Sequence, residues 1–189
     1  MTAAARSLRL WLAWVLGIAF FWMARPGAES MWIGGAIVLA GLVVRGWAAG
    51  ILEKDRELAV SGPYAFTRNP LYVGSFLLGM GAAVAGGRPL FGVVFLGYFA
   101  LIYGAVMAHE RAGLEVRFRE GYGDYRDSVP GFLPRLSPYR PPPGAGIEAR
   151  GFSLRRYLRN REYEAALGAV GGMVLLALKA AGVLRLPLP

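Results

Sequence analysis

The sequence predicts an all-α bundle that crosses a membrane about five times, on three observations. Of its 189 residues 56% are hydrophobic, and the mean hydropathy is +0.42, too apolar for a soluble domain of this size. Apolar stretches near the roughly 20 residues that a spanning helix needs recur along the chain. Lys and Arg fall mostly in alternate connections, as they do when one side of a bilayer keeps the positive charge.

The spans come in order. Leu8–Ala24 is the first. Arg6 and Arg9 precede it like the basic start of a signal peptide. Its apolar run exceeds the usual signal core, however, and "MARPG" is a poor small-residue cleavage site, so a span is expected. Met31–Ile51 is the second, interrupted by Arg45. Leu71–Gly86 is the third, short and Gly-rich, and Leu90–Ala108 is the fourth. Ala165–Leu184 is the fifth, interrupted by Lys179. Arg45 and Lys179 lie near span ends, where a long stem can carry its charge back to the interface. Arg45 could also face a ligand at its end of the bundle.

With the N-terminus in the cytoplasm, Arg6, Arg9, Lys54, Arg56, Arg68 and every Arg from Arg111 to Arg161 lie inside. Arg25, Arg88 and Arg185 lie outside, so the expected place is an inner membrane of bacterial type. Residues 1–52 are expected as an N-terminal hairpin and 53–136 as a core of loop, second hairpin and interfacial segment. Residues 137–164 read as a Pro/Gly-rich and basic linker, and 165–189 as the C-terminal span.

Composition excludes several chemistries. There are no cysteines, hence no disulfides, thiolate nucleophiles or Cys-ligated metal. The single histidine, His109, argues against a His-based metal site, and no metal is expected. An excess of 21 Lys and Arg over 12 Asp and Glu suits an anionic membrane surface, not nucleic acid, in so apolar a chain.

Two stretches carry possible chemistry. "SGPYAFTRNPLYVGS", residues 61–75, precedes the third span. Gly62 permits positive φ and close backbone approach. Pro63 and Pro70 fix their own φ and push the residue before them towards extended structure. Arg68 offers a planar fork for an anion, and Tyr64 and Tyr72 offer flat faces with a hydroxyl. Locally, the same residues also read as a turn, a helix start and interfacial anchors. The second stretch begins "HERAGLE" at the end of the fourth span. Glu110 there opposes the helix dipole and calls for a cation, either Arg111 or a positively charged ligand. His109, about 100° round the helix from it, reads as an interfacial histidine rather than a base. Leu114, Phe118, Tyr122 and Tyr125 recur at spacings of four and three, which predicts an amphipathic helix on the membrane surface, with Glu115 and Arg119 on its solvated side. Because the third and fourth spans form a hairpin, both stretches must reach the same leaflet.

Together the stretches resemble the isoprenylcysteine carboxyl methyltransferases and related phospholipid methyltransferases. Gly62, Pro63, Tyr64, Arg68, Pro70, Tyr72 and Gly74 match the first motif in register. Glu110, Leu114, Phe118, Tyr122, Tyr125, Val129 and Pro130 match the second. The resemblance covers about residues 50 to 135. Asn69 stands where His is usual, Arg111 replaces a second Glu, and Arg119 replaces a Gly. The phosphatidylethanolamine N-methyltransferases also tend to read Asn-Pro-x-Tyr.

The resemblance implies an S-adenosylmethionine (AdoMet)-dependent methyltransferase acting on a lipophilic or lipidated acceptor, with O-methyl transfer favoured over N-methyl transfer. It implies Arg68, Asn69 and Glu110 as catalytic residues. Gly62, Pro63, Tyr64, Arg68, Asn69, Pro70, Tyr72, Glu110, Tyr122 and Tyr125 are implied as the cofactor site. Two alternatives stand beside it. One is an NADPH-dependent membrane reductase of the sterol-reductase type, which uses similar Arg-x-Pro-x-Tyr elements. The other is a catalytically degenerate scaffold that holds membrane lipids on its basic face.

Overall fold

The computed structural model describes residues 3–53, 57–117, 122–142 and 150–184. Lys54, Arg56 and Arg185, and the side chains of Arg6 and Arg9, which entered the orientation above, lie outside the described residues.

The described residues are helical or irregular, with no strand among them. The helices are α1 (Ala3–Met23), α2 (Ala28–Ile51), α3 (Pro70–Ala85), α4 (Pro89–Arg117), α5 (Tyr122–Ser128), α6 (Leu154–Arg159) and α7 (Glu162–Ala180). A single 3-10 turn covers Gly62–Ala65. Among the described residues, three stretches are long and apolar enough to cross a membrane: α2, the Pro89–Met107 part of α4, and α7. The apolar part of α1, Trp14–Met23, and α3 fall at expected positions but are shorter. Sixteen residues make α3 about 24 Å long, less than the roughly 30 Å of hydrocarbon.

Helices α2 and α3 pack backbone to backbone. A Cβ on Gly81 would lie 2.7 Å from the Gly34 carbonyl oxygen, and one on Gly34 would lie 2.5 Å from the Gly81 oxygen. One helical stretch further along, a Cβ on Gly41 would lie 2.9 Å from the Gly74 oxygen. Lipid chains are as apolar as leucine, so association in a bilayer relies on such close packing of small residues. The Gly-rich α3 therefore reads as a contact face.

The other end of this pair, near Arg25 and Gly86, is closed by polar ties. Arg25 N–H donates to Gly86 O at 2.8 Å. Ser30 Oγ accepts the Gly27 N–H at 3.0 Å, closing the start of α2. Phe20, Phe21 and Met23 of α1 pack onto Ala83, Ala85, Phe91 and Leu176. Lys179 does not snorkel to water alone. Its ammonium donates to the carbonyls of Phe21 and Trp22, at 2.6 and 2.8 Å, and so caps the last turn of α1.

The last turn of α2 is capped from far along the chain. Asn160 Nδ2 donates to Ala49 O and Leu52 O, at 2.8 and 3.0 Å. Arg156 Nε donates to Gly50 O at 2.8 Å, and so does Ser153 N–H at 2.9 Å. Orphan carbonyls and the negative end of the dipole account for this cluster of donors. Just beyond, Glu53 pairs with Arg150 and Arg159. The hydrogen bond from Arg159, with the charge of both arginines, holds the Glu53 carboxyl below its usual range.

The outer faces of the helices are apolar and exposed, including Trp14, Trp32, Leu39, Val43, Val93 and Leu167. On a long apolar helix such a face meets lipid, and the chain is an integral membrane protein.

Candidate active site

The loop before α3 and the segment after α4 meet at one end of the bundle, and they are sewn together. Arg68 N–H donates to Pro130 O at 2.9 Å, Arg135 N–H to Phe66 O at 2.9 Å, and Tyr139 N–H to Ala65 O at 2.8 Å. Side chains add to the seam. Thr67 Oγ1 donates to Phe132 O at 3.0 Å, Asn69 Nδ2 to Gly131 O at 2.6 Å, and the Tyr125 hydroxyl to Tyr64 O at 2.7 Å. Residues 64–69 are thereby held along most of their length by residues 125–139.

Each expected site residue has a definite place here. Gly62 has φ +56°, in the left-handed region that glycine tolerates best. Its close approach is to α2: a Cβ would lie 2.2 Å from Ile51 Cδ1 and 3.0 Å from Trp47 Nε1. Pro63 is buried and is the second residue of the 3-10 turn. Tyr64 is buried against Ala48 and Ile51, with Leu71 beside them. Burial pushes its phenol well above the ordinary range, and the Glu110 and Glu162 charges push in the same direction.

Arg68 carries the unresolved polarity of the site. Its Nη1 is 3.5 Å from the Tyr122 hydroxyl. Its Nε is buried and has no hydrogen-bond partner among the described residues. A buried guanidinium nitrogen without an acceptor is costly, so an anionic or acceptor group is the natural complement at this point. Asn69 stands at the cap position of α3 but makes no side-chain cap bond, because its amide is turned to Gly131. Pro70 is fully buried at the first position of α3, where its missing N–H costs nothing.

Tyr72 and Glu110 are in contact. The Tyr72 hydroxyl donates to Glu110 Oε1 at 2.7 Å. The Tyr72 ring meets Tyr103 edge-on at 5.4 Å, and Tyr103 stacks on Phe99 at 4.3 Å. Glu110 itself is exposed.

Tyr122 and Tyr125 differ from the expectation of a helix laid on the membrane. They sit on the short α5 and are 3% and 2% exposed, packed on Val60 and Val129. The spacing that suggests a lipid-facing stripe instead faces the 58–66 loop. The Tyr125 hydroxyl holds Tyr64 O, so this side chain braces the loop. Phe118 and Arg119, and the side chains of His109, Arg111, Leu114 and Glu115, lie outside the described residues.

Sequence reasoning missed several contributors. Thr67 is 3% exposed and bonds Phe132 O, yet a threonine between Phe and Arg carries no signal of that role. Tyr139 lies in the stretch read as linker, but its N–H holds Ala65 O and its ring meets Tyr125 at 5.4 Å. Arg45, expected to carry its charge back to the interface or to face a ligand, is instead engaged by Glu162, Ser75 and Leu71 O.

The described residues hold no cluster of His, Cys, Asp or Glu that could bind a metal. A cavity of about 360 Å³ opens elsewhere, between α1, α3 and α4, lined by residues such as Phe20, Met23, Gly79, Ala83, Val94 and Phe95. It has no charged lining and lies towards the opposite end of the bundle, so the reactive groups are not there.

Comparison with known proteins adds to this geometry. The phospholipid methyltransferase family model matches residues 31–121, which run from α2 through the end of α4. The nickel-cobalt-cadmium resistance protein NccN of Alcaligenes xylosoxydans xylosoxydans is 36% identical over 123 residues, 59% of this chain and 56% of the relative. The cobalt-zinc-cadmium resistance protein CzcN of Cupriavidus metallidurans is 35% identical over 123 residues, with the same two shares, 59% and 56%. The protein-S-isoprenylcysteine O-methyltransferase of Schizosaccharomyces pombe is 30% identical over 101 residues, 53% of this chain and 43% of the relative. The chain thus spans about half the length of the curated relatives it matches. No solved structure matches it.

Proposed function

We propose that the chain is a member of the family of isoprenylcysteine carboxyl methyltransferases and phospholipid methyltransferases, to which its residues 31–121 are similar, and that it transfers a methyl group from AdoMet to a lipophilic acceptor. The observation that carries the reading is the pairing of opposite needs at one end of the bundle. Arg68 presents a buried Nε without an acceptor, and Glu110 presents an exposed carboxylate braced by Tyr72.

These groups fit the cofactor's chemistry. Its methionyl end carries a carboxylate and an ammonium, and its sulfur is cationic. Arg68 would hold the carboxylate and Glu110 the ammonium or the ribose hydroxyls. Tyrosine faces attract the sulfonium, since an aromatic ring is negative on its face. When bound, AdoMet supplies a methyl carbon activated by that sulfonium. The protein's own part is positioning, because a displacement of this kind needs its reactants held in line. Asn69 and Thr67 fix the loop on which Arg68 sits.

An acceptor carboxylate is already a nucleophile and needs no base, and O-methyl transfer is in line with the name of the S. pombe relative. The acceptor enters from the bilayer, and the apolar cavity between α1, α3 and α4 suits a hydrocarbon chain. The orientation follows the charges. Arg126, Arg135, Arg150, Arg155, Arg156 and Arg159 gather at the end that holds the site, against Arg25, Arg88 and Lys179 at the other, a distribution that supports a cytoplasmic site because positive charge is retained on that side of a membrane.

The test is binding of labelled AdoMet to the protein in lipid nanodiscs, with NADPH as competitor. Saturable binding that NADPH does not displace, weakened by Arg68→Gln, supports the proposal. Binding of NADPH in place of AdoMet would replace it with the reductase reading, and binding of neither would leave the scaffold.

A further inference from the structure

Glu162 opens α7, outside the segment that the family model matches, and it is 7% exposed. A carboxylate so far from water requires a partner. Arg45 of α2 is that partner: its Nε donates to Glu162 Oε1, and its Nη2 donates to Oε2 at 3.0 Å. The third nitrogen, Nη1, points another way. It donates to Leu71 O at 3.3 Å and to Ser75 Oγ, both on the first turns of α3. Ser75 in turn donates to Leu71 O at 2.9 Å. Gly74 makes the room, since a Cβ there would lie 2.3 Å from Arg45 Cγ. One planar fork therefore joins the start of α7 to the turn of α3 that carries Tyr72.

We infer that Arg45 and Glu162 are positioning residues for the site, through which α7 sets the first turn of α3 and so the place of Tyr72 against Glu110. Tyr64 lies within the same field, close enough to feel the charges of Glu162, Arg45 and Glu110 together. A staple between α2 and α7 would need only opposite charges, which a lysine supplies. Positioning α3 needs the fork, because one edge of the guanidinium grips α7 while the remaining nitrogen grips α3.

The consequence for AdoMet rests on the methyltransferase reading, but the effect on α3 does not, so two measurements separate them. The chain has no cysteine, so spin labels on Val73→Cys and Met107→Cys report the α3–α4 spacing without further changes. The same background in nanodiscs is compared with Arg45→Lys, Glu162→Gln and the double variant Arg45→Met/Glu162→Leu. The double variant guards against simple unfolding, because an apolar pair in place of a buried ion pair is often neutral or stabilising. All three variants are expected to broaden or shift the label distance. Arg45→Lys and the double variant are expected to bind AdoMet about tenfold more weakly at a thermal midpoint close to the parent's. An unchanged distance, or unchanged AdoMet affinity in a parent that binds it, overturns the inference. A parent that fails to bind AdoMet, with the distance still shifted, overturns the methyltransferase reading and leaves the positioning of α3 standing.

Discussion

The Tyr72 hydroxyl donates to the Glu110 carboxylate at 2.7 Å, across 38 positions of sequence. It ties the first turn of α3 to the far part of α4, beyond the apolar stretch that ends at Met107. Tyr72→Phe keeps the ring against Tyr103 and removes only the donor. A hydrogen bond to a charged group contributes about 1.5 kcal/mol, so on the proposed function AdoMet-dependent methyl incorporation should fall about tenfold. Glu110→Gln should lower it further, because the charge is lost as well. Incorporation into membrane extract from labelled AdoMet measures both, and equal incorporation by wild type and Glu110→Gln would remove Glu110 from the site.

Gly81 and Gly34 face each other across the α2–α3 contact, each too close to the other's carbonyl for a Cβ. Backbone cannot retreat as a flexible side chain does. Gly81→Ala should therefore cost about 1–3 kcal/mol by overpacking. Gly92→Ala, with nothing within 4 Å of its Cβ, is the control. Thermal unfolding in detergent should separate the two variants clearly.

Tyr125→Phe leaves the Tyr64 carbonyl without its donor in a buried place. About 1–3 kcal/mol of stability should be lost, with helix content by circular dichroism unchanged. Loss of AdoMet binding at temperatures where the variant stays folded would show that the brace also shapes the loop.

Alkali should act through the same pair. Burial raises the folded-state pKa of both Tyr64 and Tyr125 above the unfolded value of about 10. A raised pKa gives stability that is fully present below the unfolded value and is lost as pH rises towards the folded one. The unfolding midpoint should hold steady to about pH 9 and fall beyond about pH 10. In Tyr125→Phe the fall should be shallower. A midpoint that does not respond to alkali would contradict the burial of these phenols.

Acid should loosen the opposite partner set. Glu53 has a lowered folded-state pKa because Arg159 and Arg150 hold it. Its contribution is present above the unfolded value, about 4.3, and is lost as pH falls below that value through the folded one. The protection of amides 150–160, taken relative to their intrinsic exchange rate at each pH, should fall in that window. Glu53→Gln should exchange faster at neutral pH and lose the acid dependence.

Much of this molecule was legible before folding. Apolar runs of nearly membrane length mark where helices α2, α4 and α7 lie, because a bilayer demands internal backbone bonding. Helices α3 and α4 form a hairpin whose open ends lie side by side, and that is why Tyr72 and Glu110 can meet. Gly62 and Pro70 announce a positive φ and a helix start, and both occur as local stereochemistry dictates.

What the residues do for one another was decided in three dimensions. The spacing of Tyr122 and Tyr125 predicts one face of a helix but says nothing of what covers it, and the cover is the 58–66 loop rather than lipid. Asn69 looks like a helix cap and is instead a strut to Gly131. Arg45 and Glu162 are 117 positions apart, with nothing periodic to link them, and only the docking of α7 against α2 makes them a pair. Local chemistry and the bilayer act on neighbours in sequence and so leave a pattern there. A hydrogen bond between distant residues is set by the packing that brings them together, and that exists only in the folded chain.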